Sequence, residues 1–248
     1  MGSMKKIRAL MKFDLEMLLD NRLAFVYAVI FPLLFFAMSN WKNVMAQQTY
    51  DTEKLIILLT PYLSYVVMSN TLNNVVLMVY GRREDGFLKM YYFIVERRSY
   101  LLLAPEILYY FISLIECLGF TLLAMIAFHN LSPILLLQVL LIITVIYFPT
   151  CGILSLLVLL PIKPPSMTAL SGGVLLLAVL TYSYTTSFLP LRVLTMFNPT
   201  ILTSDLISSM LTQSVAGWGW VLGVGLVDCA IGYLCMTHLP IISKSQRV

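Results

Sequence analysis

Apolar residues gather into six runs, at about 23–39, 55–80, 100–128, 133–160, 167–187 and 217–240, and the segments between them hold most of the charge. At ~1.5 Å of rise per residue each run is long enough to cross ~30 Å of hydrocarbon as a helix, so the pattern predicts six transmembrane helices. Residues 4–20, ahead of the first run, read differently. Arg8, Lys12, Glu16 and Asp20 recur every four residues while Ile7, Leu10, Met11, Leu15 and Leu18 fall on the opposite side, which is the pattern of an amphipathic helix lying on a membrane surface. Residues 188–216, between the last two runs, are themselves largely apolar, with Ile201, Leu202, Leu206, Ile207 and Leu211 at helical spacing. Irregular backbone inside a bilayer has to be buried in protein or face a cavity, so a re-entrant arrangement is physically reasonable there. The expected fold is all-α: a polytopic integral membrane protein in one transmembrane domain, with six transmembrane helices, an N-terminal interface helix and a re-entrant segment before the last span.

Composition agrees and narrows the classes. Of 248 residues 60% are apolar and 11% charged, against roughly 25% charged in ordinary soluble domains, and the mean hydropathy is +0.89. Disorder and a secreted disulfide scaffold are excluded, and the net charge of +4 is spread over loops rather than gathered into a nucleic-acid-binding stripe. Cys117, Cys151, Cys229 and Cys235 all fall inside apolar runs and read as small buried hydrophobes. Orientation follows from the basic residues. Thirteen of the 16 lie before the first run, in the 81–99 loop, at Lys163 or after the last run, and only Lys42, Lys54 and Arg192 lie on the other side. The excess places both termini and the 81–99 loop in the cytoplasm. Trp41, Trp218 and Trp220 then fall at outer ends of spans, at headgroup level.

Residues 81–96 are the most informative stretch: a short charged helix with an apolar edge is predicted there. Phe87, Leu88 and Tyr91 at helical spacing suit docking into a partner's groove, with the arginines and acids setting register. A positive-inside anchor resting on headgroups fits the same residues, and physics alone does not separate the two.

Arg83, Glu84, Gly86 and Leu88, with Asp85 between them, are similar to the coupling-helix region of type 2 ATP-binding-cassette (ABC) transporter permeases. These are the six-span subunits of bacterial drug, antibiotic, peptide and polysaccharide exporters. Pro190 followed by Phe197-Asn198-Pro199-Thr200, and the amphipathic start, match the same family in order along the chain. Phe87 stands where members often carry a small polar residue. The resemblance implies a bacterial cell-membrane location and a cytosolic ATP-binding-cassette ATPase subunit docking at Arg82, Arg83, Glu84, Asp85, Gly86, Phe87 and Leu88. It further implies a permease homodimer with the transport path at its interface, and a pair of re-entrant half-helices whose outer gate is shaped by Asn198 and Pro199. Within that docking set, Arg83 and Glu84 are expected as charged contacts, Gly86 as the point of close approach, and Phe87 and Leu88 as the apolar anchor. No lysine follows a glycine, so the chain lacks a phosphate-cradling loop. ATP and Mg would sit on the partner subunit, with no cofactor in this chain.

Ionisable groups inside spans cost about 2.5–3.5 kcal/mol each on insertion scales, so each needs a reason. Glu116 and Asp228 are the two mid-span acids. They suit a substrate path for a cationic amphiphile or a proton relay, or else pair with nearby hydroxyls and fix packing. Glu106 is expected to reach headgroups or Arg97 and Arg98. Gly219 and Gly223 form a Gly-x-x-x-Gly pair that reads as close helix packing. His129 and His238 lack a ligand cluster around them, so no metal site is expected, and no nucleophile with a base supports an enzyme. The expected function is transport: the permease subunit of an ATP-driven exporter of a hydrophobic or amphipathic cargo such as a drug, an antimicrobial peptide or a lipid-like molecule. The alternative is an ion-coupled carrier that uses Glu116 and Asp228 without an ATPase.

Overall fold

The computed structural model describes residues 3–20, 22–46, 48–181 and 197–242, with backbone alone at 3, 22–29 and 31. The described residues are helical throughout and contain no strand. Helix α1 (Ser3–Asp20) is the amphipathic start, and α2 (Arg22–Met45) is a 24-residue helix with Pro32 inside it. Helix α3 (Thr52–Asn70) runs through a π-helical turn (Thr71–Val76) into α4 (Leu77–Glu84), giving one continuous 33-residue element. The short α5 (Phe87–Val95) precedes α6 (Arg98–Ala127) and α7 (Pro133–Leu154), which tightens into a 3₁₀ turn at Ser155–Leu159. Helices α8 (Pro164–Leu180), α9 (Pro199–Thr212) and α10 (Val215–Thr237) follow.

Four helical elements among the described residues are long and apolar enough to cross a membrane: Thr52–Glu84, Arg98–Ala127, Pro133–Leu159 and Val215–Thr237. The apolar α8 has 17 residues. Pro190 and Arg192, together with the rest of 182–196, and Lys244 and Arg247 lie outside the described residues.

Boundaries have local causes. Pro133, Pro164 and Pro199 each open a helix, where a missing N–H costs nothing and the fixed φ suits the first turn. Gly86, at φ 80°, ends α4 in the left-handed conformation, and its N–H reaches Arg83 O at 3.2 Å. That turn corrects the expected single helix over 81–96, because residues 81–84 complete the preceding span and the short helix begins only at Phe87.

The α3–α4 element is the centre of the bundle. Leu55, Ile56, Leu59, Leu63, Leu72, Val75, Val76 and Val79 are almost fully buried, packed by α2, α6, α7, α8 and α9. At one end, Phe36 of α2 meets Tyr62, Phe120 and Phe128 edge-on, with ring centroids 5.3, 5.2 and 5.9 Å away, which fixes α2 against α3 and α6. Exposed Phe111, Ile115 and Ile126 on α6 and Leu226 and Leu234 on α10 give the bundle an apolar outer surface suited to lipid.

The tightest seam joins α7 to α10. A Cβ on Gly152 would strike the Asp228 carbonyl, one on Gly232 would lie 2.6 Å from Gly152 Cα, and one on Gly225 would lie 3.2 Å from Pro149. Nothing lies within 4 Å of a Cβ at Gly219 or Gly223. The expected Gly-x-x-x-Gly contact is therefore corrected: the residues that let α10 approach its neighbour are Gly225 and Gly232.

Candidate functional site

The basic end of the bundle is organised by two arginines that the sequence places side by side. Arg83 is completely buried. Its Nε donates to Glu84 Oε1 at 2.6 Å, its Nη1 to Val158 O, and its Nη2 to Leu160 O at 2.8 Å. The guanidinium lies 4.5 Å from the Tyr80 ring centroid, and Tyr80 donates its hydroxyl proton to Ile162 O. The fork thus holds carbonyls around the end of the 3₁₀ turn, where helical backbone runs out of its own donors. Arg83 and Glu84, expected as surface docking contacts, are instead internal and pin the end of α4 to the α7–α8 connection.

Arg82 turns the other way. Its Nη2 donates to Asp14 Oδ1 at 2.5 Å, and its guanidinium carbon lies 5.7 Å from the Phe13 ring centroid and 5.4 Å from that of Tyr91. Lys6 pairs with Glu96 at 2.9 Å. Helix α1 is therefore fastened to the C-terminal end of α5 through Lys6 and to its middle through Phe13 and Arg82, which both meet Tyr91. The Lys6 ammonium holds the exposed Glu96 carboxyl below its ordinary range. Asp14 is different, because burial pushes its carboxyl up and outweighs the Arg82 charge that pulls it down. A group raised in the folded state binds more protons folded than unfolded just above its ordinary value of 3.8, so its contribution to stability falls as pH rises through that range. Asp14→Asn keeps an acceptor for Arg82 and removes the titration. Unfolding of the detergent-solubilised variant, followed from about pH 4 upward, is expected to lose stability less steeply than wild type.

Helix α5 is bracketed by left-handed residues, Gly86 at φ 80° and Glu96 at φ 64°. Its sequence is apolar nearly all round, which is why periodicity alone misassigned its faces. Leu88 and Val95 point into the bundle and Tyr91 packs on Phe13 with ring centroids 5.7 Å apart. Leu88 is thus an internal anchor, which corrects the expected docking edge of Phe87, Leu88 and Tyr91. The outward edge holds Asp85, Gly86, Phe87, Lys89, Met90, Phe93 and Ile94, with Phe87 52% and Met90 51% exposed and Phe93 and Ile94 more so.

The buried acids are held separately. Glu116 Oε2 accepts from Asn70 Nδ2 at 2.5 Å, and the same amide lies 3.0 Å from Ser113 Oγ. Asn74 Nδ2 donates in turn to Asn70 Oδ1 at 3.0 Å. The partner is an amide on the neighbouring span rather than a hydroxyl alone, and Asn70 sits where the π-helical turn begins. Three asparagines inside one apolar run were the signal for it. Asp228 lies on the α7–α10 seam, and its Oδ1 has no hydrogen-bond partner among the described residues. Glu106 is 2% exposed and contacts the Cys151 thiol, which corrects the expectation that it reaches headgroups or Arg97 and Arg98.

Asn198 and Pro199 form a joint between helices. Asn198 Oδ1 accepts from Thr200 N at 3.0 Å, capping α9, while its Nδ2 donates to Ala178 O at 3.2 Å and Thr181 Oγ1 at 2.7 Å at the end of α8. Below this joint a groove of about 420 Å³ opens between α2, α3 and α8, lined by Phe35, Tyr62, Tyr65 and Leu176 among others. Ser69 and Asn73, bonded at 3.1 Å, continue the polar edge of α3 from Tyr65. Among the described residues no cluster of three or more His, Cys, Asp or Glu is placed to hold a metal. Comparison with family models, with curated proteins and with solved structures gives no match to the chain.

Proposed function

We propose that the chain is the transmembrane permease subunit of an ATP-driven exporter in a bacterial cell membrane, with six spans, cytoplasmic termini and a re-entrant segment ending in α9. It works as a homodimer with cytosolic ATPase subunits that carry ATP and Mg. The observation that carries this reading is α5: a nine-residue helix set off from the spans by left-handed residues, presenting Phe87 and Met90 outward and fastened to α1 through Lys6–Glu96. Such a helix has an apolar edge to seat in a partner's groove and rigid ties to pass on a push. Closure of the ATPase pair would drive α5 and α1 together, and Arg83 would carry the displacement from α4 into the α7–α8 connection. The groove beside Tyr62 and Tyr65 then suits a hydrophobic or amphipathic cargo moving past a mostly apolar wall with a polar edge. The donation of Asn70 onto Glu116 favours a packing role for that acid over a direct ion-coupled one.

Co-purification tests the reading on the outward edge. Phe87→Ala/Met90→Ala is expected to reduce recovery of the ATPase subunit with the tagged permease by about tenfold or more, at unchanged permease yield, as truncation of a docking hot spot does. Absence of any ATPase from wild-type preparations under several gentle extractions would return the ion-coupled carrier to first place.

A further inference from the structure

Helix α1 carries a side chemistry that its expected membrane contact does not explain. The apolar side predicted to rest on the bilayer is largely turned inward: Leu10 is buried, and Ile7, Met11 and Leu18 pack on the core, mainly against α6. Asp14 lies on that same inner side, held by Arg82. At about 100° of turn per residue the remaining surface of α1 divides in two. Met4, Leu15, Arg8, Leu19, Lys12 and Lys5 follow one another across one part, all exposed, with Met4 81% and Leu19 56% accessible. Glu16 and Asp20, also exposed, fall beyond Lys5 on the other.

The two parts call for different surroundings. Glu16 and Asp20 require water, whereas the first part interleaves three cations with three large apolar side chains and holds no acid. Three cations are prohibitive in hydrocarbon, and the apolar chains gain nothing in bulk water. The headgroup layer satisfies both, because the apolar chains reach the acyl boundary while long basic side chains keep their charge among phosphates. Among the described residues Lys5 and Arg8 make no ion pair, and Lys12 meets only Glu16, at 3.8 Å with both side chains exposed. Lys6 is not counted, since Glu96 holds it at 2.9 Å. We infer that this side of α1 binds anionic phospholipid, with Lys5, Arg8 and Lys12 on the phosphates and Met4, Leu15 and Leu19 at the acyl boundary. A zwitterionic headgroup brings its own ammonium beside the phosphate, so net negative charge is what the three cations select. The inference stands whether or not the chain is a permease.

Leu19→Trp, in a full chain also carrying Trp41→Phe, Trp218→Phe and Trp220→Phe, places a single fluorescent reporter on this side. The chain is reconstituted in phosphatidylcholine nanodiscs in which a minor fraction of the lipid is brominated in the upper acyl chain, as phosphatidylglycerol in one set and phosphatidylcholine in the other. Brominated phosphatidylglycerol is expected to quench the reporter about threefold or more deeply than brominated phosphatidylcholine at the same mole fraction, and about 0.5 M sodium chloride to remove most of the difference. Adding Lys5→Gln, Arg8→Gln and Lys12→Gln makes the two lipids equivalent while quenching by phosphatidylcholine persists. Leu15→Trp repeats the measurement from the same side should Leu19→Trp fail to fold. Equal quenching by the two lipids with the three basic residues intact overturns the proposal. It is also overturned if neither lipid quenches, which gives this side to water or to an acidic protein partner, or if the triple change still prefers phosphatidylglycerol.

Discussion

Arg83→Met lowers the unfolding free energy by about 3–5 kcal/mol, because it leaves the Glu84 carboxylate buried without its cation and strips the donors from the carbonyls of Val158 and Leu160. Lys12→Met, which breaks an exposed pair with Glu16 at 3.8 Å, is expected to change it by less than about 0.5 kcal/mol. The size of the first effect comes from burial, since both the Arg83 and Glu84 side chains are almost fully sealed from solvent. Arg83→Lys recovers only part of the loss, because an ammonium cannot present the planar fork that serves Glu84 and two carbonyls at once. Glu84→Gln costs less than Arg83→Met, since the guanidinium keeps both carbonyls and an amide oxygen still accepts. Combining Arg83→Met with Glu84→Gln is therefore expected to cost less than the sum of the two single changes, because the second removes the stranded charge created by the first. Equilibrium unfolding in detergent measures all five. An Arg83→Met variant as stable as wild type would show that the end of α4 is held by packing alone, and Arg83 would then have no part in carrying motion to the α7–α8 connection.

Much of the bundle was legible because spans are specified by local composition. The runs expected at 100–128 and 133–160 correspond to Arg98–Ala127 and Pro133–Leu159, and Pro133 marks the start of the second of these. Asn198-Pro199-Thr200 was singled out only through the family resemblance, as the shaper of an outer gate, and its role as the cap and first-turn proline of α9 came from the structure. What stayed hidden depends on partners far along the chain. Charge counting treats every loop arginine as solvated, and nothing near Arg83 announces that its partners are carbonyls 75 and 77 residues away. Asn70 and Glu116 are 46 residues apart, so an amide and an acid that look like two unexplained polar residues in two spans become one bond only when the spans pack. Glu106 illustrates the same limit. Its distance from the end of the helix suggested headgroups, whereas the face it occupies on α6 turns it toward Cys151 on α7.

Gly152→Val is expected to cost at least about 3 kcal/mol and to shift most of the protein out of the monodisperse peak on size-exclusion chromatography in detergent, toward the upper end of what overpacking costs. Small-to-large changes are often absorbed by rotation of a neighbouring side chain, and here no rotation helps. The atoms that a Cβ on Gly152 would meet are all backbone, the carbonyl O and C of Asp228 and the N of Cys229, so a side chain at 152 can be accommodated only by moving α10 away from α7. Moving it also uncovers Asp228, whose Oδ1 already lacks a partner among the described residues, and exposes a carboxyl to hydrocarbon. Gly232→Ala meets the same seam from the other side, with its Cβ 2.6 Å from Gly152 Cα, and is expected to fail in the same direction with a smaller amplitude. Gly223→Ala provides the contrast, because nothing lies within 4 Å of its Cβ and alanine is the better helix former. It is expected to match or slightly exceed wild-type stability. If Gly223→Ala were the damaging change and Gly152→Val the silent one, the seam would run along the Gly219–Gly223 face instead, and the placement of Asp228 between α7 and α10 would have to be abandoned with it.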